Sequence, residues 1–160
     1  MSRTIYLLTA LAALGSAVMG GAFYAFSSFV MSGLDRATPN QAVAAMNGLN
    51  VTAVRAPFML PFIGTALLSV VLVILALVRW GRPESWLVLA GALVYLVGSF
   101  VLTIAYHVPR NDALALVDPA SAEAAAKWAT YYREWTRMNH VRTAASLAAA
   151  AAFVAALVRA

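Results

Sequence analysis

The chain predicts an all-α fold: a four-helix transmembrane bundle with an extra-membrane helix after span one and an aromatic-rich amphipathic helix between spans three and four. Hydrophobic residues fill 63% of the 160 positions and charged residues only 11%, whereas a soluble domain keeps about a quarter of its residues charged. Mean hydropathy is +0.82. At roughly 20 apolar residues per crossing, a chain of this length holds about four spans in a single membrane domain, residues 1–160. With no cysteine, disulfides, iron–sulfur clusters and thiolate metal sites are excluded. The net charge of +5 does not gather into a soluble basic patch but punctuates the ends of the spans, so nucleic acid is excluded as a partner.

Span one covers about Ile5 to Met31. Arg3 followed by an apolar run resembles a signal peptide, with Gly15-Ser16-Ala17 in the style of a cleavage site. The run continues to Val30, too long for such a segment, and reads as a retained helix. Ser16 and Gly20, like Ala17 and Gly21, are small residues four apart, a spacing that lets helices approach closely. Phe23, Tyr24, Phe26 and Phe29 form either an interfacial belt or the wall of a pocket. Thr38-Pro39-Asn40-Gln41 has the form of a helix start, with a capping residue, proline at the first position and glutamine closing the box. The helix that follows, to about Val54, is too polar to span. Ala42, Met46, Leu49 and Ala53 share one of its faces, with Asn47 and Asn50 beside it. Asn50 is either a structural clamp or a ligand contact, since a buried amide must find partners.

Span two covers about Phe58 to Val78, and Arg79 to Glu84 form a tight turn. Span three follows from Trp86 to about Tyr106, with Gly91 and Gly98 as packing sites. His107 to Pro119 is expected to be irregular. Asp118-Pro119 then opens a helix carrying Trp128, Tyr131, Tyr132 and Trp135 as one aromatic stripe. Span four covers about Asn139 to Val158. Four spans leave both termini on one side. The short segments there carry Arg3, Arg79, Arg82 and Arg159, a density that places the termini in the cytoplasm of a multi-pass inner-membrane protein, with the long polar segment facing outward.

Both histidines fall in that polar segment. His107 closes span three and His140 opens span four, so two antiparallel helices deliver both imidazoles to one membrane depth. Asn111, Asn139 and Arg142 lie close by in sequence, and polar groups at the mouth of a span invite a functional reading. Imidazole suits copper, zinc or iron, and Glu134 or Asp112 could complete a ligand set around His107 and His140. Against this, histidine and tryptophan favour membrane interfaces, Arg142 can pair with Glu134, and the aromatic stripe is equally suited to docking the helix on the bundle.

Five stretches, AMNGLN (Ala45–Asn50), PFMLPFIGTA (Pro57–Ala66), HVPRND (His107–Asp112), VDPASAEAAAKW (Val117–Trp128) and WTRMNHVRT (Trp135–Thr143), resemble the anthrone oxygenase-like family of small membrane proteins. Met138 departs from the family pattern, where tryptophan often stands. The resemblance implies a four-helix membrane protein linked to oxidation of anthrones to anthraquinones. By matching motif it points to His107, His140, Asn111, Asn139 and Arg142 as catalytic candidates and to Asn50 as a substrate contact, and the aromatic stripe of Trp128, Tyr131 and Trp135 would then stack the flat substrate. In that chemistry a neutral histidine, with an ordinary pKa near 6.5, takes the methylene proton, amide or guanidinium donors hold the oxyanion, and the electron-rich enolate reacts with oxygen. The cofactor is then copper or iron, or none. Two other functions compete: a metal- or haem-binding protein without its own substrate, and a structural or accessory subunit. The expected partners are the bilayer, a small lipophilic molecule and a second copy of the chain.

Overall fold

The structure, a computed structural model, describes residues 1–160 and is all-helical. Five helices follow in order: α1 Arg3–Asp35, α2 Pro39–Ala53, α3 Ala56–Val78, α4 Ser85–Ala115 and α5 Ala124–Val158. All but α2 are long and apolar enough to cross a membrane. Their outward faces remain apolar, with Leu7, Leu11, Leu14, Leu60, Leu67, Ile74 and Val97 all exposed. A surface of that kind is stable against lipid and not against water. The chain is an integral membrane protein.

Helix length divides the molecule into two storeys. At about 1.5 Å per residue, the 35 residues of α5 reach beyond a hydrocarbon layer of about 30 Å. Helices α1 and α4 overshoot in the same way, while α3, with 23 residues, just spans it. The lower storey is the four-helix bundle, cored by Met19, Phe23, Phe62, Leu72, Tyr95 and Phe153. In the upper storey α2 lies across the protruding ends, and Ala42, Val43 and Met46 pack on Met31, Leu114, Trp128, Tyr131 and Trp135. Thr38 caps α2 as its sequence predicts, its backbone N–H donating to Gln41 Oε1 at 3.3 Å with Pro39 in the first turn.

Two boundaries differ from expectation. The segment after His107 is not irregular: α4 continues through Val108-Pro109 to Ala115, because proline is tolerated where a helical turn restarts and its missing N–H costs little. Nor is the aromatic helix separate from span four, since one helix runs from Ala124 to Val158. Asp118-Pro119 makes the turn before it, with Asp118 Oδ1 accepting from Ala120 N at 2.9 Å. The sequence from Ala124 to Val158 contains neither glycine nor proline, so nothing breaks the helix between the two predicted pieces.

Helices α1 and α5 form the most extensive pairing in the bundle. Ser16 and Gly20 lie on the buried face of α1, and Ala17 and Gly21 are exposed. A Cβ on Gly98 would come within 2.5 Å of Ala145 Cβ, so this glycine is what allows α4 and α5 to cross closely just below the polar layer. Gly81, at φ +98°, turns the chain between α3 and α4. We expect Gly98→Val to cost roughly 1–3 kcal/mol by overpacking. Gly21→Val, whose new side chain meets nothing within 4 Å, should be neutral. Thermal unfolding of the two variants in one detergent checks the difference.

Candidate functional site

Three segments widen into π-helix: Phe26–Val30 in α1, and Leu96–Val101 and Thr103–His107 in α4. Insertions of this kind loosen the ladder and re-aim side chains, and they occur often at functional sites. Here they flank one polar layer between the two apolar cores. Asn139, fully buried, donates through Nδ2 to the Phe23 carbonyl at 2.7 Å and to Ser27 Oγ at 2.9 Å. Its Oδ1 accepts from Arg142 Nη2 at 2.7 Å. Arg142 Nη1 donates to Thr103 Oγ1 at 3.2 Å, and Thr103 passes its own hydroxyl proton to the Ser99 carbonyl at 2.7 Å. The guanidinium is 5% exposed and lies over the rings of Phe23, at 4.2 Å, and Trp135, at 5.0 Å.

Above this layer opens a cavity of about 400 Å³. Phe23, Phe26, Phe58 and Trp135 supply aromatic wall, and Met46, Leu49, Ala53 and Met59 supply aliphatic wall. Asn50, Asn111, Thr103 and Arg142 bring polar groups to it, and Arg55 stands exposed on its rim. Asn111 Oδ1 accepts from both Tyr131 Oη at 2.8 Å and Trp135 Nε1 at 3.0 Å, so its NH2 is the group left free. Asn50 Nδ2 and Arg142 Nε are buried without partners. Asn50 approaches Tyr131 without completing a hydrogen bond, and its neighbour Asn47 donates through Nδ2 to the Leu114 carbonyl at 3.4 Å.

The sequence-derived candidates separate into groups. Asn50, Asn111, Trp135 and Arg142 line the cavity. Asn139 does not, but holds Arg142 and the α1 backbone. Trp128 and Tyr131 stack with Trp135 as one ladder at 5.9 and 6.2 Å, yet both pack into the upper core, where Trp128 Nε1 donates to Asp35 Oδ1 at 2.9 Å. His107 is 1% exposed, lies behind the cavity lining with its ring edge-on to Trp135 at 5.0 Å, and has no hydrogen-bond partner on either nitrogen. The Met138 backbone approaches the ring without completing a hydrogen bond.

His140 is exposed on the outer face of α5. Being next to Asn139 on a helix, it points about 100° away from the residue that faces the interior. No three His, Cys, Asp or Glu side chains come together to hold a metal ion. The ligand set expected around His107 and His140 is therefore not assembled, one ring being buried and the other exposed. Nor does Arg142 pair with Glu134, which instead binds Arg110 Nε at 3.0 Å.

Several wall residues carried no distinct sequence signal. Of the four aromatics near the end of span one, Phe23 and Phe26 line the cavity while Tyr24 and Phe29 face outward. Thr103 and Ser27 were hidden because π-turns shift the helical register locally. Arg55 sits in the elbow between α2 and α3, where an exposed arginine is unremarkable.

These features define a polytopic membrane protein with a polar-lined, aromatic-walled cavity near one end of its bundle. The anthrone oxygenase family model matches residues 58–152, more than half of the chain, and the chain belongs to that family. The match contains Asn111, Trp135, Asn139 and Arg142, while α1 and α2, which bring Phe23 and Asn50, lie outside it. No curated protein and no solved structure matches the chain.

Removing Asn139 leaves a buried guanidinium and a buried carbonyl short of partners. Asn139→Leu is expected to destabilise the protein by about 2–3 kcal/mol. His140→Ala should change it by less than about 0.5 kcal/mol. Paired thermal melts in the same detergent distinguish them, and equal losses would contradict the division of roles between these neighbours.

Proposed function

We propose that the protein is a membrane-embedded oxygenase that converts a flat, lipophilic anthrone-type aromatic to its quinone with molecular oxygen, without a metal. The observation that carries this reading is the cavity of about 400 Å³, walled largely by aromatic and aliphatic side chains, with Asn50, Thr52, Thr103, Asn111 and Arg142 as its polar lining and Arg55 on the rim. Such a site suits a polycyclic ring system bearing a carbonyl oxygen, and family membership supplies the reaction class. Ionisation of the substrate breaks a methylene C–H bond and moves its electron pair onto the carbonyl oxygen. Hydrogen-bond donors in a water-poor site stabilise that oxyanion more than they stabilise the neutral ketone. The enolate carbon then donates electrons to oxygen and forms a C–O bond. Collapse of the peroxide as water leaves the quinone.

His107 is the neutral base assigned to this layer. A base acts within hydrogen-bond reach or through one bridging water. Because Trp135 stands against its ring, His107 works through such a water or after a shift of that indole, and solvent at the cavity mouth is the competing proton acceptor. His140, outside the layer, takes no part. The orientation that accompanies this reading puts the termini in the cytoplasm and the upper storey outside the inner membrane, supported by Arg3, Arg79, Arg82 and Arg159 at the opposite end. The test is oxygen uptake and quinone formation from anthrone by purified protein, over the rate in empty micelles. Wild type should raise both in equal molar amounts. Leu49→Trp, which fills the cavity from α2, should abolish the increase while leaving the melting temperature within a few degrees. No increase with wild type would sink the reading.

A further inference from the structure

Arg142 is a buried cation with no anion. Its guanidinium bonds only neutral oxygens, Thr103 Oγ1 and Asn139 Oδ1, and it takes part in neither of the two ion pairs in the chain. Of the six acidic residues, none lines the cavity. Asp35 is engaged by Trp128, Glu134 by Arg110 and Glu84 by the amino terminus. A charge taken out of water without a counter-ion is costly, and in a membrane protein it marks a binding site by default. The Nε–H of this group remains unpartnered on a side chain that is 5% exposed, and Arg142 itself forms part of the cavity wall.

The rest of the polar lining adds no anion. Asn111 offers its free NH2 as a donor, while Asn50 Nδ2 is buried and turned toward Tyr131. The Thr103 hydroxyl already donates to Ser99 and accepts from Arg142. That of Thr52 donates to the Gly48 carbonyl at 2.9 Å. Arg55 adds a second positive charge on the rim. The cavity thus carries positive charge and no anion, inside apolar and aromatic walls.

We infer that this cavity binds its ligand as an organic anion: a flat aromatic body carrying an ionised oxygen group, seated at the Arg142 guanidinium with the Asn111 NH2 as second donor. The inference rests on the oxygenase reading for its choice of an aromatic body and deepens it by fixing the ionisation state. It also extends the ligand class to aromatic carboxylates and phenolates that cannot be oxidised. The protein supplies the counter-charge that the ligand's oxygen needs in a low-dielectric site, and the ligand satisfies a guanidinium that the fold leaves unpaired.

The experiment uses two fluorescent probes of equal ring size, anthracenecarboxylate and the neutral anthracenemethanol, titrated into the full chain in neutral-detergent micelles without any oxidation assay. Wild type should bind the carboxylate at least about tenfold more tightly than the alcohol, and Arg142→Met should bring the two within about twofold. Because that variant risks misfolding, a second measurement needs only wild type. Naphthol in the presence of excess protein should show the absorbance of naphtholate at least about one pH unit below the point seen in empty micelles, since a tenfold preference for the anion is one unit of pH. Equal affinity for acid and alcohol, or an unshifted naphthol titration, would overturn the inference. Displacement of the probe by oleate as readily as by the aromatic acid would overturn the aromatic part. If the acid binds selectively but anthrone is not oxidised, the anion site stands and the oxygenase reading falls. If anthrone is oxidised while acid and alcohol bind alike, the reverse holds.

Discussion

The buried guanidinium of Arg142, gripped by Asn139 from one turn earlier on the same helix, is the constraint to which the rest of the structure conforms. A cation at this depth is tolerable only where its N–H groups find oxygens and its face finds aromatic rings. Asn139 meets part of that need and at the same time ties α5 to the Phe23 carbonyl and Ser27 of α1, across the junction where α1 loosens into a π-turn. Thr103, in a π-turn of α4, meets another part. Three helices are therefore stitched at one level by a network in which the Asn139 amide serves three partners and the Thr103 hydroxyl two. The close crossing at Gly98 brings α4 near enough to α5 for the link to form.

Above that level the helices continue out of the hydrocarbon layer, and the physics changes from lipid-facing to core-forming. Trp128, Tyr131 and Trp135 descend α5 as a stacked ladder whose upper two rungs are covered by α2. The lowest rung, Trp135, is shared between core and cavity. Asn111 joins the two, because its carbonyl oxygen holds Tyr131 and Trp135 at once and its amino group is turned elsewhere. The Arg110–Glu134 pair, with Arg110 Cζ 3.4 Å over the Tyr106 ring, braces α4 against α5 on the outer side. The cavity lies beneath α2 and its elbow into α3, which makes Asn50, Leu49 and Ala53 of α2 part of the wall rather than of a peripheral helix.

Much of this was legible in the sequence, for identifiable reasons. Runs of apolar residues with arginine-bearing breaks gave four spans, and Thr38-Pro39-Asn40-Gln41 gave the start of α2 because capping is local chemistry. Among the polar residues of HVPRND and WTRMNHVRT, Asn111, Asn139 and Arg142 gather at one level of the bundle. What was not legible depends on helix rotation. Asn139 and His140 are adjacent in the chain, yet one is fully buried and the other faces out, and an apolar span has too little periodicity to say which. The π-turns compound this, since each shifts the facing of all residues beyond it. The junction between the aromatic helix and span four was invisible for the opposite reason: a change from polar to apolar composition marks the membrane boundary, and helix α5 passes through it unbroken.

The central claim is that Arg142 and the Asn111 amide of this cavity hold the oxygen of a flat aromatic ligand. A structure determined with the corresponding anthraquinone bound tests it most directly. The account predicts a quinone oxygen within hydrogen-bond distance of Arg142 Nε, with the ring system against Phe23, Phe58 and Trp135. A ligand found instead in the outer groove between Arg110 and Lys127, with Arg142 Nε untouched, would contradict it.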